Sequence, residues 1–259
     1  MPSAQAPGSL LGAGRTCDVY DVGQGRVLRR YRGPFDAQAE AQIVRHVQAE
    51  AQIMRHLDEA GFPVPRVYDA DGPDLIMERL TGRDMLAELG RKPWLVRPYG
   101  RLLAALHNRL HEIQAPPGLP TAFQPGDRML HLDLHPANVM LTSRGPVVID
   151  WSGARAGAAG ADVAMAYVIM ASSDVDLIPV LLRPVVGRLR AALLRQFMAE
   201  AHDDPWPHIV RAAEARMQDP NVRPSEIGRL QRIADQAAAG WPGRGGVTAV
   251  APADEQSLG

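Results

Sequence analysis

Between His131 and Trp151 the chain reads HLDLHPANVMLTSRGPVVIDW, and three of these side chains suit phosphate chemistry. Asp133, the amide Asn138 five residues on, and Asp150 at the end of an apolar run place two carboxylates and a hard amide oxygen in one short stretch. Phosphoryl transfer asks a protein mainly to align an acceptor hydroxyl and to neutralise charge building on the phosphate oxygens. Asp133 would orient the hydroxyl and accept its proton. A carboxylate with an ordinary pKa of about 3.9 is a feeble base towards an alcohol, which is tolerable when proton loss comes late, so alignment is the larger part of its task. Asn138 and Asp150 would hold Mg²⁺, which prefers hard oxygen ligands.

The local elements must bring these groups together. Val139 to Leu141 and Pro146 to Ile149 read as two short strands around a Ser143-Arg144-Gly145 turn, a hairpin that returns Asp150 to Asn138. Each residue alone reads equally well as a turn cap; the joint spacing points to the chemistry. A rival arrangement puts His131, Asp133 and His135 on one face of an extended segment as zinc ligands of a hydrolase. It leaves Asn138 and Asp150 without roles, and no other segment supplies an obvious second ligand cluster.

Upstream, Leu10 to Tyr31 predicts three strands, with a turn at Gly12-Ala13-Gly14-Arg15-Thr16 and a hairpin at Gly23-Gln24-Gly25. Gly12 and Gly14 would let backbone N–H groups approach a phosphate, although the same spacing serves turn geometry alone. Phe35 to Ala60 is a long helical pattern that contains a near-exact repeat, Gln38–Val47 and Gln48–Leu57. Ten residues fall about 80° short of three full turns, so the two copies cannot present the same face. Val64 to Tyr68 and Asp74 to Met77 read as further strands.

From Asp84 onward helical periodicity dominates. Leu102, Leu103, Leu106 and Leu110 predict a buried central helix over Leu95–Gln114, with His107 and His111 as polar contacts at the core edge. Pro116–Gly126 and Arg155–Gly160 read as loops. Ile178–Ala201, His208–Met217 and Ile227–Ala239 read as amphipathic helices, the last with Ser225 as N-cap.

The H-x-D-x-x-x-x-N pattern ending at Asn138, followed by Ile149-Asp150-Trp151, resembles the catalytic and metal loops of the aminoglycoside phosphotransferase and choline kinase family, relatives of the protein kinases. The resemblance covers Leu10 to Met170. It implies an α+β, protein-kinase-like two-lobed fold. A small N-terminal antiparallel sheet plus helix would span residues 10–83, and a larger, mostly helical C-terminal lobe residues 84–240. A flexible tail over 1–9 and a disordered Gly/Pro/Ala-rich tail over 241–259 would flank them.

The resemblance also implies ATP as co-substrate, Mg²⁺ as cofactor and transfer of the γ-phosphate to a hydroxyl of an aminoglycoside-like molecule, an amino alcohol or a sugar. Gly12 and Gly14 would then lie over the phosphates. On the third strand Arg29 stands where the family has a lysine that reaches the phosphates, with Val27 near the adenine. Glu50, from the second copy of the repeat, would pair with Arg29 across the cleft, while Glu40 would lie about 15 Å along the axis in solvent. Met77-Glu78-Arg79-Leu80 resembles the connector, whose backbone at Glu78 and Leu80 would hydrogen-bond adenine. Asp162 resembles an aspartate that caps its helix and braces the catalytic loop. Asp174, Asp176, Asp203 and Asp204 could gather into an acidic surface for a cationic acceptor, or stand as solvated helix-end charges. Arginine at position 29, and Leu132 where the family often has glycine, motivate a different reading: a degenerate nucleotide-binding pseudokinase or scaffold.

Composition bounds the rest. The 259 residues carry a formal net charge of −1, which argues against nucleic acid or an anionic membrane as main partner. Lys92 is the only lysine among 28 basic residues, which reflects compositional bias. Cys17 stands alone, so no internal disulfide forms and a reducing compartment is expected. With no secretory signal pattern and no apolar run of about 18 residues, the chain is expected to be soluble and cytoplasmic.

Overall fold

The computed structural model describes residues 8–13, 17–32, 37–123, 125–173, 179–220 and 222–240. Gly14, Asp174, Asp176, the 241–259 segment and most of the 1–9 tail lie outside the described residues. In chain order the elements begin with β1 (Ser9–Ala13), β2 (Cys17–Gly23), β3 (Arg26–Tyr31), α1 (Ala37–Glu59), β4 (Val67–Asp71), β5 (Asp74–Glu78) and β6 (Gly82–Asp84). There follow α2 (Met85–Arg91), α3 (Val96–His111), β7 (Thr121–Ala122), β8 (Arg128–Leu130), β9 (Val139–Thr142), β10 (Gly145–Val148) and β11 (Arg155–Gly157). The described chain ends with α4 (Ala159–Ser172), α5 (Arg183–Glu200), α6 (Ile209–Met217) and α7 (Pro224–Ala238). Among the described residues these elements form two compact units, one from residues up to Asp84 together with Asn138–Ala154, the other from Met85–Ala137 together with the residues from Arg155 onward.

The first unit is built on an antiparallel five-stranded sheet in the order β1-β2-β3-β5-β4. Its tightest turn, Gly23-Gln24-Gly25, has positive φ at all three residues, which explains the two glycines. β4 starts three residues later than the apolar pattern suggests, because Pro63 and Pro65 have no N–H to give a ladder. Helix α1 packs on β4 and β5 and resolves the repeat. In its second copy Glu50, Ala51, Ile53, Met54 and Leu57 are buried, whereas Val47 alone is buried in the first, and Glu40 is exposed. The 80° offset decides this, since a helix lying on one sheet buries one stripe.

The β9–β10 hairpin turns tightly at Ser143-Arg144 and extends a second sheet in the order β10-β9-β6. It is tied to the segment after α1 in three ways. Val148 N donates to Pro63 O at 2.8 Å, Arg144 Nη2 donates to Val64 O at 3.1 Å, and the Trp151 and Phe62 rings meet edge-on at 5.7 Å.

In the second unit the fully buried helix is α4, not the one over Leu95–Gln114. Twelve of its fourteen residues are buried. Helix α3 carries Arg97, Arg101 and Arg109 and must keep one face in water, whereas α4 has one charge, Asp162. α3 lies close against α5 at Gly100, where an added Cβ would stand 2.8 Å from Gln196 Cβ. α6 and α7 cover α4. The 155–160 stretch is not a plain loop: β11 joins β7 and β8 in a three-stranded sheet, with Ala156 N donating to Pro120 O at 2.9 Å, and α4 follows two residues later. Ser225 does not cap α7. Pro224 starts the helix, Arg223 is the cap residue, and the Arg223 N–H donates to Glu226 Oε2 at 3.1 Å.

Candidate active site

Side chains alternate along β3, so Val27, Arg29 and Tyr31 share one face and Arg30 the other. Arg30 makes a bidentate pair with Asp74 at 2.6 and 2.7 Å. Arg29 pairs instead with Glu50 of α1, which is 2 % exposed, and the same carboxylate oxygen accepts the Tyr31 hydroxyl at 2.6 Å. Arg29 also donates to Tyr31 Oη, which closes a three-membered cluster. Burial alone would lower the Arg29 pKa, but the Glu50 charge outweighs it, so the guanidinium is held charged. Burial is likewise the main cause that raises the Tyr31 phenol, with Glu50 adding to it. Arg29 Nε and Glu50 Oε1 are buried without a hydrogen-bond partner among the described residues. Both atoms are closed off from solvent, so the pair is left one donor and one acceptor short inside the cluster.

Val27 is buried and lies opposite Met77 in the β3–β5 ladder. The Glu78 N–H donates to Arg66 O at 2.8 Å and the Glu78 carboxylate takes Arg144 at 2.7 Å. Any adenine contact at Glu78 is therefore left to its carbonyl. That carboxylate faces a cavity of about 420 Å³ shared with Arg66 and Arg144, which contains neither Arg29 nor Val27. Arg79 N donates to Gly25 O at 2.8 Å, which fixes the connector before Leu80 to the β2–β3 turn. Gly12 has ordinary φ, and a Cβ there would meet nothing within 4 Å, so neither backbone conformation nor packing among the described residues demands glycine.

At the open end of the hairpin Ile149 N donates to the Asn138 carbonyl at 3.0 Å, which sets Asn138 and Asp150 at the same end of the β9–β10 ladder. Asp150 is exposed, its backbone is left-handed at φ 67°, and Ser152 Oγ donates to its Oδ1 at 2.8 Å. Asp is among the residues that tolerate that conformation. An exposed carboxylate at the ladder end that also carries Asn138 suits Mg²⁺, which keeps several waters and takes few protein ligands.

Asp133 belongs to the second unit, in the loop after β8. Here Asp162 dominates. Its Oδ2 accepts from His131 N at 3.2 Å and its Oδ1 from Leu132 N at 2.6 Å. Leu132 sits at φ 63°, a conformation that costs a bulky residue on the order of 1 kcal/mol or more; the short bond to Asp162 holds it there. His131 is fully buried and its Nδ1 accepts from Asp133 N at 3.2 Å, so two successive amides and the imidazole pin the loop ahead of the Asp133 side chain. Asp162 does not cap its helix. It lies in the first turn of α4, and the cap residue, Ala158, has no side-chain bond. A carboxylate already holding two loop amides is not available to N–H groups of its own helix.

Behind Asp162 stands His111, whose Nε2 lies 3.1 Å from Asp162 Oδ2 and whose Nδ1 lies 2.7 Å from Asp203 Oδ2. Burial would lower the His111 pKa, yet the hydrogen bonds to the two carboxylates lift it to about 9. Burial would raise Asp162, but His111 and the other histidines hold it well below the ordinary carboxylate range. His107 and His111 are both buried within the core, not at its edge. Asp203 is thus engaged inside the unit, whereas Asp204 is exposed at a helix start, where its Oδ1 accepts Trp206 N at 3.1 Å, as a solvated helix-end charge does. No group of three or more His, Cys, Asp or Glu converges as a metal site among the described residues, which leaves the zinc arrangement without support.

Comparison with known proteins decides the family. The model of the phosphotransferase enzyme family matches residues 8–130 and 114–195. The chain belongs to this family. Its fold is the protein-kinase-like phosphotransferase fold. The ADP-bound aminoglycoside phosphotransferase APH(2'')-Ib is similar with a TM-score of 0.58 at 11% identity, over 88% of this chain and 93% of that one. The streptomycin–ATP ternary complex of APH(2'')-IIa gives 0.56 at 11% identity, over 87% and 92%. A choline/ethanolamine kinase family protein from Mesorhizobium loti gives 0.53 at 13% identity, over 92% and 93%. No curated protein sequence matches. No helix among the described residues is long and apolar enough to cross a membrane.

In this phosphotransferase family member a reading of the sequence leaves out Tyr31 and assigns Asp203 a surface role in place of its contact with His111. Tyr31 was within reach, because alternation puts it on the Arg29 face. The partnership of Asp203 with His111 carried no signal, since nothing local links it to a helix 92 residues earlier.

Proposed function

We propose that the protein moves the γ-phosphate of ATP to a hydroxyl of a small molecule. The observation that carries the reading is the buried Glu50–Arg29 pair, which holds a fixed cation on the face of β3 that also carries Val27. Arg29 would meet the phosphates, and the Gly12 backbone would approach them where a Cβ would have open space. Val27 and Met77 would border the adenine, with the Glu78 carbonyl and the Leu80 backbone as its polar partners. Asp133 would orient the acceptor hydroxyl and take its proton as the oxygen bonds to phosphorus and the ADP oxygen departs. Asn138 and Asp150 would hold Mg²⁺, which when bound neutralises charge on the phosphate oxygens. The acceptor class we favour is a hydroxylated amine or aminosugar, since neighbours of the same fold are described with streptomycin or as choline/ethanolamine kinases.

Thermal protection by MgATP, followed by slow ATP hydrolysis in the wild type and in Asp133→Ala, tests this. Both proteins should be protected, and turnover should fall on the order of 10²–10⁴-fold in the variant. Equal residual rates would remove Asp133 from the mechanism. Protection without turnover in either protein would favour the pseudokinase reading, which the arginine at position 29 motivates. Asp150→Ala should weaken the magnesium dependence of protection, and an unchanged metal titration would contradict its role. A panel of hydroxylated amines and sugars, scored by stimulated ADP release, then identifies the acceptor.

A further inference from the structure

The loop that carries Asp133 is held from behind by a chain of three side chains that runs through the core of the second unit. Asp162 touches the loop, and His111 touches Asp162. Asp203, in the segment after α5, touches His111. Both ring nitrogens of His111 face carboxylate oxygens, at 3.1 and 2.7 Å. A carboxylate can only accept, so each ring nitrogen must carry a proton and the ring must be an imidazolium. Removing that proton would set a lone pair against a carboxylate, within a cluster where Asp162 is 1 % exposed. Asp162 would then lose its counter-charge while still gripping the left-handed Leu132.

The segment that carries Asp203 is itself anchored. His202 N donates to Asn108 Oδ1 at 3.0 Å and Asn108 Nδ2 donates to Glu200 O at 2.9 Å, one helical turn before His111. At Gly160 an added Cβ would lie 2.1 Å from Asp204 O, so the same segment presses against the start of α4, two residues before Asp162. The groups facing His111 are His107 from its own helix, Asp162 from α4, and Asp203 from the segment after α5. His131 from the loop and His202 complete the titratable groups around the chain of three.

We propose that His111 and Asp203 are positioning residues for the Asp133 loop, acting through Asp162 as a buried carboxylate–imidazolium–carboxylate relay. Deprotonation of the imidazolium releases the loop, and Asp203 sets the pH at which this happens. The kinetic consequence rests on the phosphotransferase reading above; the structural one does not.

Asp203→Asn tests it, because the half-buried amide keeps the shape and removes one charge. Hydrogen-exchange mass spectrometry on the full chain, over the peptide that contains His131 and Leu132, should show protection that persists in the wild type to about pH 9. In Asp203→Asn it should collapse about one pH unit lower, as loss of one neighbouring carboxylate implies. The alkaline limb of kcat should move by the same interval with the KM for ATP unchanged, which a merely structural weakening would not do. Asp203→Glu should restore both. Identical protection in wild type and variant between pH 7 and 9.5 overturns the proposal, as does a protection shift without movement of the kcat limb. If no acceptor or ATP turnover is found in the wild type, the exchange measurement alone decides the relay, and the phosphotransferase reading is what fails.

Discussion

Among the described residues each unit buries a cation against carboxylate, and the two differ above all in whether they can release a proton. In the first unit Arg29 bridges Glu50 and Tyr31; in the second, His111 bridges Asp162 and Asp203. Arginine cannot release its proton in water, whereas imidazolium can near neutrality. The first cluster is therefore a fixed element that holds its charge at any working pH, while the second is conditional. Pinning a strand to a helix and pinning a loop beneath a carboxylate use the same interaction, but only the second carries a pH limit.

Removal of Asp162 separates the clusters most. Asp162→Ala strands a buried imidazolium and frees two loop amides, and should cost about 4–5 kcal/mol, read by denaturant unfolding. Glu50→Ala leaves Arg29, whose side chain retains 11% exposure and some access to water, and should cost about 3 kcal/mol. Its nucleotide protection should fall as well. If Glu50→Ala proves the more damaging, the pair on β3 is the tighter one and the comparison reverses.

The third prediction concerns pH. Folding raises His111 from its ordinary 6.5 to about 9, so between those values the native state holds a proton that the unfolded chain has released. The stabilisation is whole below pH 6.5 and lost as pH climbs through 9. His107 works in the opposite sense. Burial lowers it from 6.5 to about 4, so the unfolded chain gains a proton first and stability falls as pH drops through that interval. Unfolding free energy should therefore peak near pH 6.5 and decline on both sides, and in His111→Gln the alkaline decline should vanish. A flat profile from pH 6.5 to 9 in the wild type would show that His111 is not the cation the geometry requires. Smallest of all, Tyr31→Phe removes one hydroxyl from Glu50 and should cost about 1 kcal/mol, with no change in the pH profile.

Much of the candidate site was legible because its signals are local. The hairpin from Val139 to Val148 follows from two apolar runs around a turn, and the return of Ile149 to Asn138 follows from the hairpin. Alternation and the 80° offset of the repeat showed that only one of Arg29 and Arg30, and only one of Glu40 and Glu50, could face inward; the family resemblance, not backbone geometry, chose Arg29 and Glu50. The buried status of α4 and the extra strand β11 were hidden: small residues such as Ala156, Gly157 and Ala161 carry almost no pattern until a neighbour covers them. The cap expected at Ser225 falls two residues earlier, at Arg223, and the Asp162 carboxylate is claimed by the distant loop amides of His131 and Leu132.

By itself the sequence determined the order of elements, the spacing of Asp133, Asn138 and Asp150, and the face that Arg29 shares with Val27, because periodicity and covalent spacing operate within one or two turns of chain. Tertiary structure alone decided that His111 is a cation, that Asp162 leaves its helix uncapped while it braces the loop as the resemblance implied, and that Asp203 stands behind both. Those roles depend on which groups are brought to 2.7 and 3.1 Å from one another out of segments 92 and 51 residues apart, and a pKa is set by such neighbours as well as by residue type.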